Sequence, residues 1–119
     1  MVKKIFYLLF FVLFVSCKYG FIKFDEYMEN NIFNDKEILE NEFYEIQDLE
    51  YKARMMYQEG GTTYNIYDNP NGKRIFFLKY WTRIIPIEII KKNGSTWVKI
   101  ETKEHNRGWV NSCFIELHR

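Results

Sequence analysis

Residues 84–102 read IIPIEIIKKNGSTWVKIET. β-Branched residues crowd Ile84–Ile90, and Ser95–Thr102 is a second run of the same character, a composition that favours strands. Asn93-Gly94 lies between them. A type I′ turn needs φ > 0 at both central positions, so Asn-Gly between two such runs predicts a β-hairpin. Downstream, His105-Asn106-Arg107-Gly108 predicts a further turn, Trp109-Val110 a strand, and Phe114–Leu117 a last short apolar segment. Upstream, Ile75–Leu78 and Tyr64–Tyr67 are strand candidates flanking Asp68-Asn69-Pro70-Asn71-Gly72, where Pro presets φ and Gly accepts positive φ. About five or six short strands joined by tight turns predict a mainly β fold, a small β-barrel.

Before Gly60-Gly61, Leu49, Tyr51, Ala53, Met55 and Tyr57 alternate with Glu50, Lys52, Arg54, Met56 and Gln58. That period of two favours a strand. A helix running through 35–58 stays open, since Phe43, Ile46, Leu49, Ala53 and Met56 also fit its spacing. Over 35–48 the pattern predicts an N-terminal helix: Asn34 and Asp35 offer a cap, and Ile38, Leu39, Phe43 and Ile46 recur at helical spacing. Residues 17–34 have no sustained period and read as a tether with at most one turn of helix. The expected organisation is a leader over 1–16, the tether over 17–34, the helix over 35–48 and the barrel over 49–119.

At 119 residues and 14.6 kDa, the chain has room for one small domain and a leader. Its 17 Lys+Arg against 16 Asp+Glu leave +1, without the basic footprint of a general nucleic-acid binder. The balance is uneven: residues 18–60 carry a net −6 and residues 61–119 a net +5. Two cysteines cannot build a disulfide framework or a cysteine-rich zinc site. With two histidines they form no spaced metal site either. No cofactor is expected.

Lys3 and Lys4 precede Ile5–Val15, an uninterrupted apolar run. At about 1.5 Å per helical residue it covers roughly half of a ~30 Å hydrocarbon core, so it reads as a secretory signal. Phe14-Val15-Ser16-Cys17 resembles the lipobox of bacterial lipoproteins, with Phe14 in place of the usual leucine. The resemblance implies cleavage before Cys17, a diacylglyceryl thioether on its sulfur, and acylation of the new terminus. Such chains would hold the domain on a membrane. Lys18 replaces the Asp that retains many lipoproteins at the inner membrane, so the outer membrane or cell surface is the expected location.

From about residue 53 to 117 the chain resembles the bacterial SH3 (SH3b) family. Tyr64-Asn65-Ile66-Tyr67 with its Pro/Gly turn is similar to the family's LNVR-x-x-P opening, and Leu78–Ile84 to its LKKGTKV segment. Asn93–Ile100 resembles NGWYKV, Gly108-Trp109-Val110 is its GWV, and Asn111–Ile115 resembles its S-S-Y-L ending. Tyr67 replaces an Arg of the pattern, and Tyr80-Trp81 replaces Lys-Gly. The stretch also resembles eukaryotic SH3 domains at low resolution, where Tyr67, Trp97 and Phe114 would share a groove. Asn111 stands where that groove has a proline, so PxxP recognition is not implied.

Tyr67, Tyr80, Trp81, Trp97 and Phe114 are therefore the candidate ligand-groove residues, with Trp109 open between groove and core. Aromatic rings with polar handles suit a surface that holds a peptide yet stays soluble. Cys113 near His105 or His118 carries no orienting group or oxyanion signature, so no catalytic residue and no enzyme activity are expected. The resemblance implies a lipid-anchored module docking a peptidoglycan stem or bridge peptide, or an envelope protein. The rival expectation is an assembly factor acting through its acidic helix.

Overall fold

The computed structural model describes residues 21–33, 37–47, 49–61 and 63–119. The leader, Cys17 and the helix cap expected at Asn34-Asp35 lie outside them. The described chain is mainly β. It runs β1 (Ile22–Lys23), α1 (Phe24–Tyr27) continuing into a π-helical turn (Met28–Ile32), β2 (Phe43–Glu45), β3 (Lys52–Met55), β4 (Thr63–Tyr67), β5 (Arg74–Lys79), β6 (Arg83–Lys92), β7 (Ser95–Glu101), β8 (Arg107–Asn111), a 3₁₀ turn (Ser112–Phe114) and β9 (Ile115–His118). The strands pair antiparallel in the order β1-β9-β3-β6-β7-β8-β4-β5, and β2 adds to β6. Among the described residues no helix is long and apolar enough to cross a membrane.

The expected hairpin is β6–β7, turning on Asn93 at φ 52° and Gly94 at φ 79°. On its other edge β6 meets β3 at Arg83-Ile84 and β2 at Glu88–Ile90. Its pairing with β7 shifts register between Pro86 and Glu88. Proline has no N–H for the ladder, so it sits where the ladder is already interrupted.

Alternation sends one set of side chains inward: Ala53 and Met55, Ile66, Ile84 and Ile89, Val98 and Ile100, Val110, Ile115 and Leu117. Of the alternating run 49–58 only Lys52–Met55 is a strand, with Ala53 and Met55 buried and β9 paired alongside. Gly108 permits the close approach of β8 to β4. A Cβ there would stand 3.0 Å from the Tyr67 carbonyl oxygen and 3.2 Å from Ile75 Cδ1, and would overlap Ile66 Cγ2.

Two expectations about the N-terminal part are corrected. Residues 37–47 form no helix. Glu40 bridges Lys91, Asn41 takes φ 62°, and Phe43–Glu45 is a strand. The open edge of β6 supplies hydrogen-bond partners that outweigh a short helical stripe, and Leu39 and Phe43 of that stripe are 53% and 61% exposed. Glu40 is not a free acidic handle either, because its carboxylate accepts the Gly94 N–H at 2.9 Å.

The expected tether is part of the fold from Ile22 onward. Phe24, Met28 and Phe33 are buried in the main core. Phe24 and Met28 form an i, i+4 pair on one helical face, but the helical stretch is too short to repeat it, so no period announced it.

Candidate functional site

On the outward face of β6, β7 and β8 lies a second apolar cluster: Ile90, Trp97 and Trp109, with Tyr67 packed against it. Tyr67 meets Trp97 edge-on at 5.7 Å between centroids, and Phe43 of β2 leans on Trp109 at 6.0 Å. Beside them a groove of about 870 Å³ runs between β2 and the β4–β5 turn. Trp109 forms its floor, and Phe43 and Ile75, 61% and 49% exposed, form apolar walls.

The groove's rim carries both signs, with Glu45, Asp68 and Glu88 on one hand and Lys99 and Arg107 on the other. Register explains the arrangement, since Glu45 pairs with Glu88, Glu88 with Lys99, and Lys99 with Trp109. Arg107 Nε lies 2.9 Å from Glu101. Among the described residues no salt bridge ties Lys99 to Glu88.

Of the expected groove residues, Tyr67 and Trp97 come together, but Trp97 and Trp109 are each only 5% exposed. They build the floor and its support and leave Phe43 and Ile75 as the accessible surfaces. The Trp97 indole N–H is buried without a hydrogen-bond partner among the described residues. Phe114 does not join this groove; it packs on Tyr64 at 5.0 Å and on the main core. Burial, with smaller contributions from Glu116 and Cys113, pushes the Tyr64 phenol up, and its hydroxyl donates to the Met56 carbonyl.

Tyr80 and Trp81 belong to a different place. Together with Tyr57 they form a triad of rings, with centroids 4.9 Å apart for Tyr57–Tyr80, 5.6 Å for Tyr57–Trp81 and 5.2 Å for Tyr80–Trp81. The Arg54 guanidinium lies over Trp81 at 5.7 Å. Trp81 is 56% exposed and takes φ 64°, a conformation that costs an L-residue roughly 1–2 kcal/mol. Two bonds to β3 clamp the turn: Trp81 N–H donates to the Met55 carbonyl at 2.7 Å, and Met55 N–H to the Thr82 carbonyl at 3.0 Å. Among the described residues no ring pair links this triad to the Trp109 cluster.

Cys113 is a free, exposed thiol on the 3₁₀ turn. It borders a hollow of about 600 Å³ that neither His105 nor His118 lines. Partial burial of the sulfur pushes the thiol pKa up, and Asp25, whose carboxylate accepts the Ser112 hydroxyl, pushes it further. Both effects oppose thiolate formation, and the thiolate is the nucleophile. Asp25→Asn should therefore raise the iodoacetamide alkylation rate of Cys113 severalfold near neutral pH; an unchanged rate would show that Asp25 has no hold on the sulfur. Among the described residues no three His, Cys, Asp or Glu side chains gather as a metal cluster.

Phe43, Ile75 and Tyr57 are the site residues that sequence reasoning missed. Phe43 fits the helical stripe of 35–48 in the sequence. Ile75 belonged to an apolar run whose outward phase no neighbour revealed. Tyr57 did carry a signal, being the last apolar residue of the alternating run before Gly60-Gly61.

No family model, curated protein or solved structure matches the chain.

Proposed function

We propose that the chain is a lipid-anchored protein of the bacterial envelope whose β domain is an SH3b-type barrel that docks a short peptide without transforming it. The order of elements supports the barrel reading. A first strand, β3, pairs with the last, β9, and with the start of β6. The β4–β5 hairpin intervenes, β6-β7-β8 form a meander, and a 3₁₀ turn precedes β9. Tyr64–Tyr67, Asn93–Ile100 and Gly108–Val110, which carry the family resemblance, lie on β4, on the β6–β7 turn and β7, and on β8. Trp81, standing where the family pattern has glycine, holds the left-handed φ a glycine would take.

The groove over Trp109 is the observation that carries the docking function. Phe43 and Ile75, standing over the buried Trp109 indole, offer apolar area, and a rim of both signs suits a ligand bearing carboxylates and amines. Peptidoglycan stem or bridge peptides have that chemistry, and so do charged tails of envelope proteins. The anchor rests on the Phe14–Cys17 resemblance.

The test is capture of the full chain by purified sacculi and by synthetic stem peptides. Phe43→Ala and Arg107→Ala are each expected to weaken binding about tenfold, the scale of an interface residue worth more than about 1 kcal/mol. Both side chains are exposed, so folding should survive. Undiminished capture by both variants would remove the groove from the function, and absence of capture by the parent chain would remove the peptidoglycan ligand.

A further inference from the structure

We infer that the outward face of β1, β9, β3 and the start of β6 is a membrane-docking surface that rests on anionic phospholipid, held there by the short link to Cys17. The inference rests on the lipid-anchor reading and on a correction made by the fold. The chain enters the sheet at Ile22, so only residues 18–21 separate Cys17 from β1. At no more than about 3.6 Å per residue, β1 stays within about 18 Å of the anchored residue. That leash is too short for the domain to swing clear of the bilayer, so the face around β1 is the one brought to it.

Its residues fit that neighbour. Register places Lys23 beside Glu116, Glu116 beside Arg54, and Arg54 beside Arg83, in a row across four strands. Lys52 pairs with His118 in the adjoining row. Neighbouring strands lie about 4.8 Å apart, so the row extends roughly 15 Å from β1. The one carboxylate of that four-residue row, Glu116, is buried and already bonded to Arg54. Lys23, Lys52 and Arg83 are exposed, and among the described residues none of them forms a salt bridge.

Beside the cations stands the Tyr57–Tyr80–Trp81 triad, joined to the row by Arg54 over Trp81. Trp and Tyr favour the headgroup level of a bilayer, and each nearby cation strengthens attachment to an anionic surface about fivefold. The strained backbone at Trp81 thus presents a large ring where the lipid interface would lie.

The chain is purified from producing cells with the state of Cys17 read by mass spectrometry. It is then reconstituted in vesicles of phosphatidylcholine, alone or with one-third phosphatidylglycerol, both with brominated acyl chains. The difference in fluorescence quenching between parent and Trp81→Phe isolates Trp81 from the buried Trp97 and Trp109. Trp81 is expected to be quenched in the anionic vesicles and much less in the neutral ones. Lys52→Ala/Arg83→Ala should shift the docked-to-undocked ratio about 30-fold toward undocked.

An acylated Cys17 with Trp81 unquenched in anionic vesicles overturns the docking face and leaves the anchor standing. Quenching indifferent to lipid charge and to the double substitution overturns it equally. An unmodified Cys17 with charge-dependent quenching of Trp81 supports the face and overturns the anchor.

Discussion

Phe24→Ala is expected to destabilise the protein by about 3–5 kcal/mol, the range for emptying a fully buried aromatic site. Phe24 is 0% exposed although it stands near the start of the described chain, between Lys23 of β1 and Asp25 of α1. Its ring belongs to the same core as Met28, Phe33, Ile115 and Leu117, and Asp25 beside it accepts the Ser112 hydroxyl. Removing the ring loses apolar burial and leaves a void under α1, which packs on β9 and the 3₁₀ turn. Phe21→Ala, just upstream and 44% exposed, should change stability by less than about 0.5 kcal/mol. Urea unfolding followed by circular dichroism measures both. A loss below about 1 kcal/mol for Phe24→Ala, against the range expected of a core aromatic, would mean that this segment lies on the sheet without belonging to its core.

The second large effect concerns the ion pair between Arg54 Nε and Glu116 Oε1, at 2.6 Å across β3 and β9. Its two ends differ: the Glu116 side chain is 2% exposed and that of Arg54 31%. Arg54→Met leaves a buried carboxylate without its partner, a change expected to cost about 3–5 kcal/mol. Glu116→Gln leaves a guanidinium that can turn to water and still lie over Trp81, so about 1–2 kcal/mol is expected. The double substitution should cost less than the sum of the two, because a neutral amide in place of the carboxylate needs no counter-charge. Chemical denaturation of the three variants closes the cycle. Equal losses for the two single variants, or strict additivity, would show that burial of Glu116 is not what makes Arg54 necessary.

How much of this was legible before the fold was known differs by residue. Asn93-Gly94 was, because a type I′ turn is a two-residue property and both residues carry the required positive φ. The strand at Lys52–Met55 was legible too, although a helix competed, because its alternation matches a core on one side. The segment 37–47 was not, because its helical spacing is real and only the vacant edge of β6 draws Phe43–Glu45 into a strand. The aromatic set was recognised by residue type but not by grouping. Trp97 and Trp81 look alike in a sequence, yet one supports a groove floor and the other lies over half exposed beside a different set of rings.

By itself the sequence determined the β class, the turns at Asp68–Gly72 and Asn93-Gly94, and the inward phase of Lys52–Met55, because these follow from local φ preference and a period of two. Only the tertiary structure decided that the N-terminal segment belongs to the core, that Phe43 walls a groove with Trp109, and that Lys23, Arg54 and Arg83 share a row. Those are contacts between residues tens of positions apart, selected by which strand edges and apolar faces remain open once the sheet has formed. No local pattern encodes such a choice.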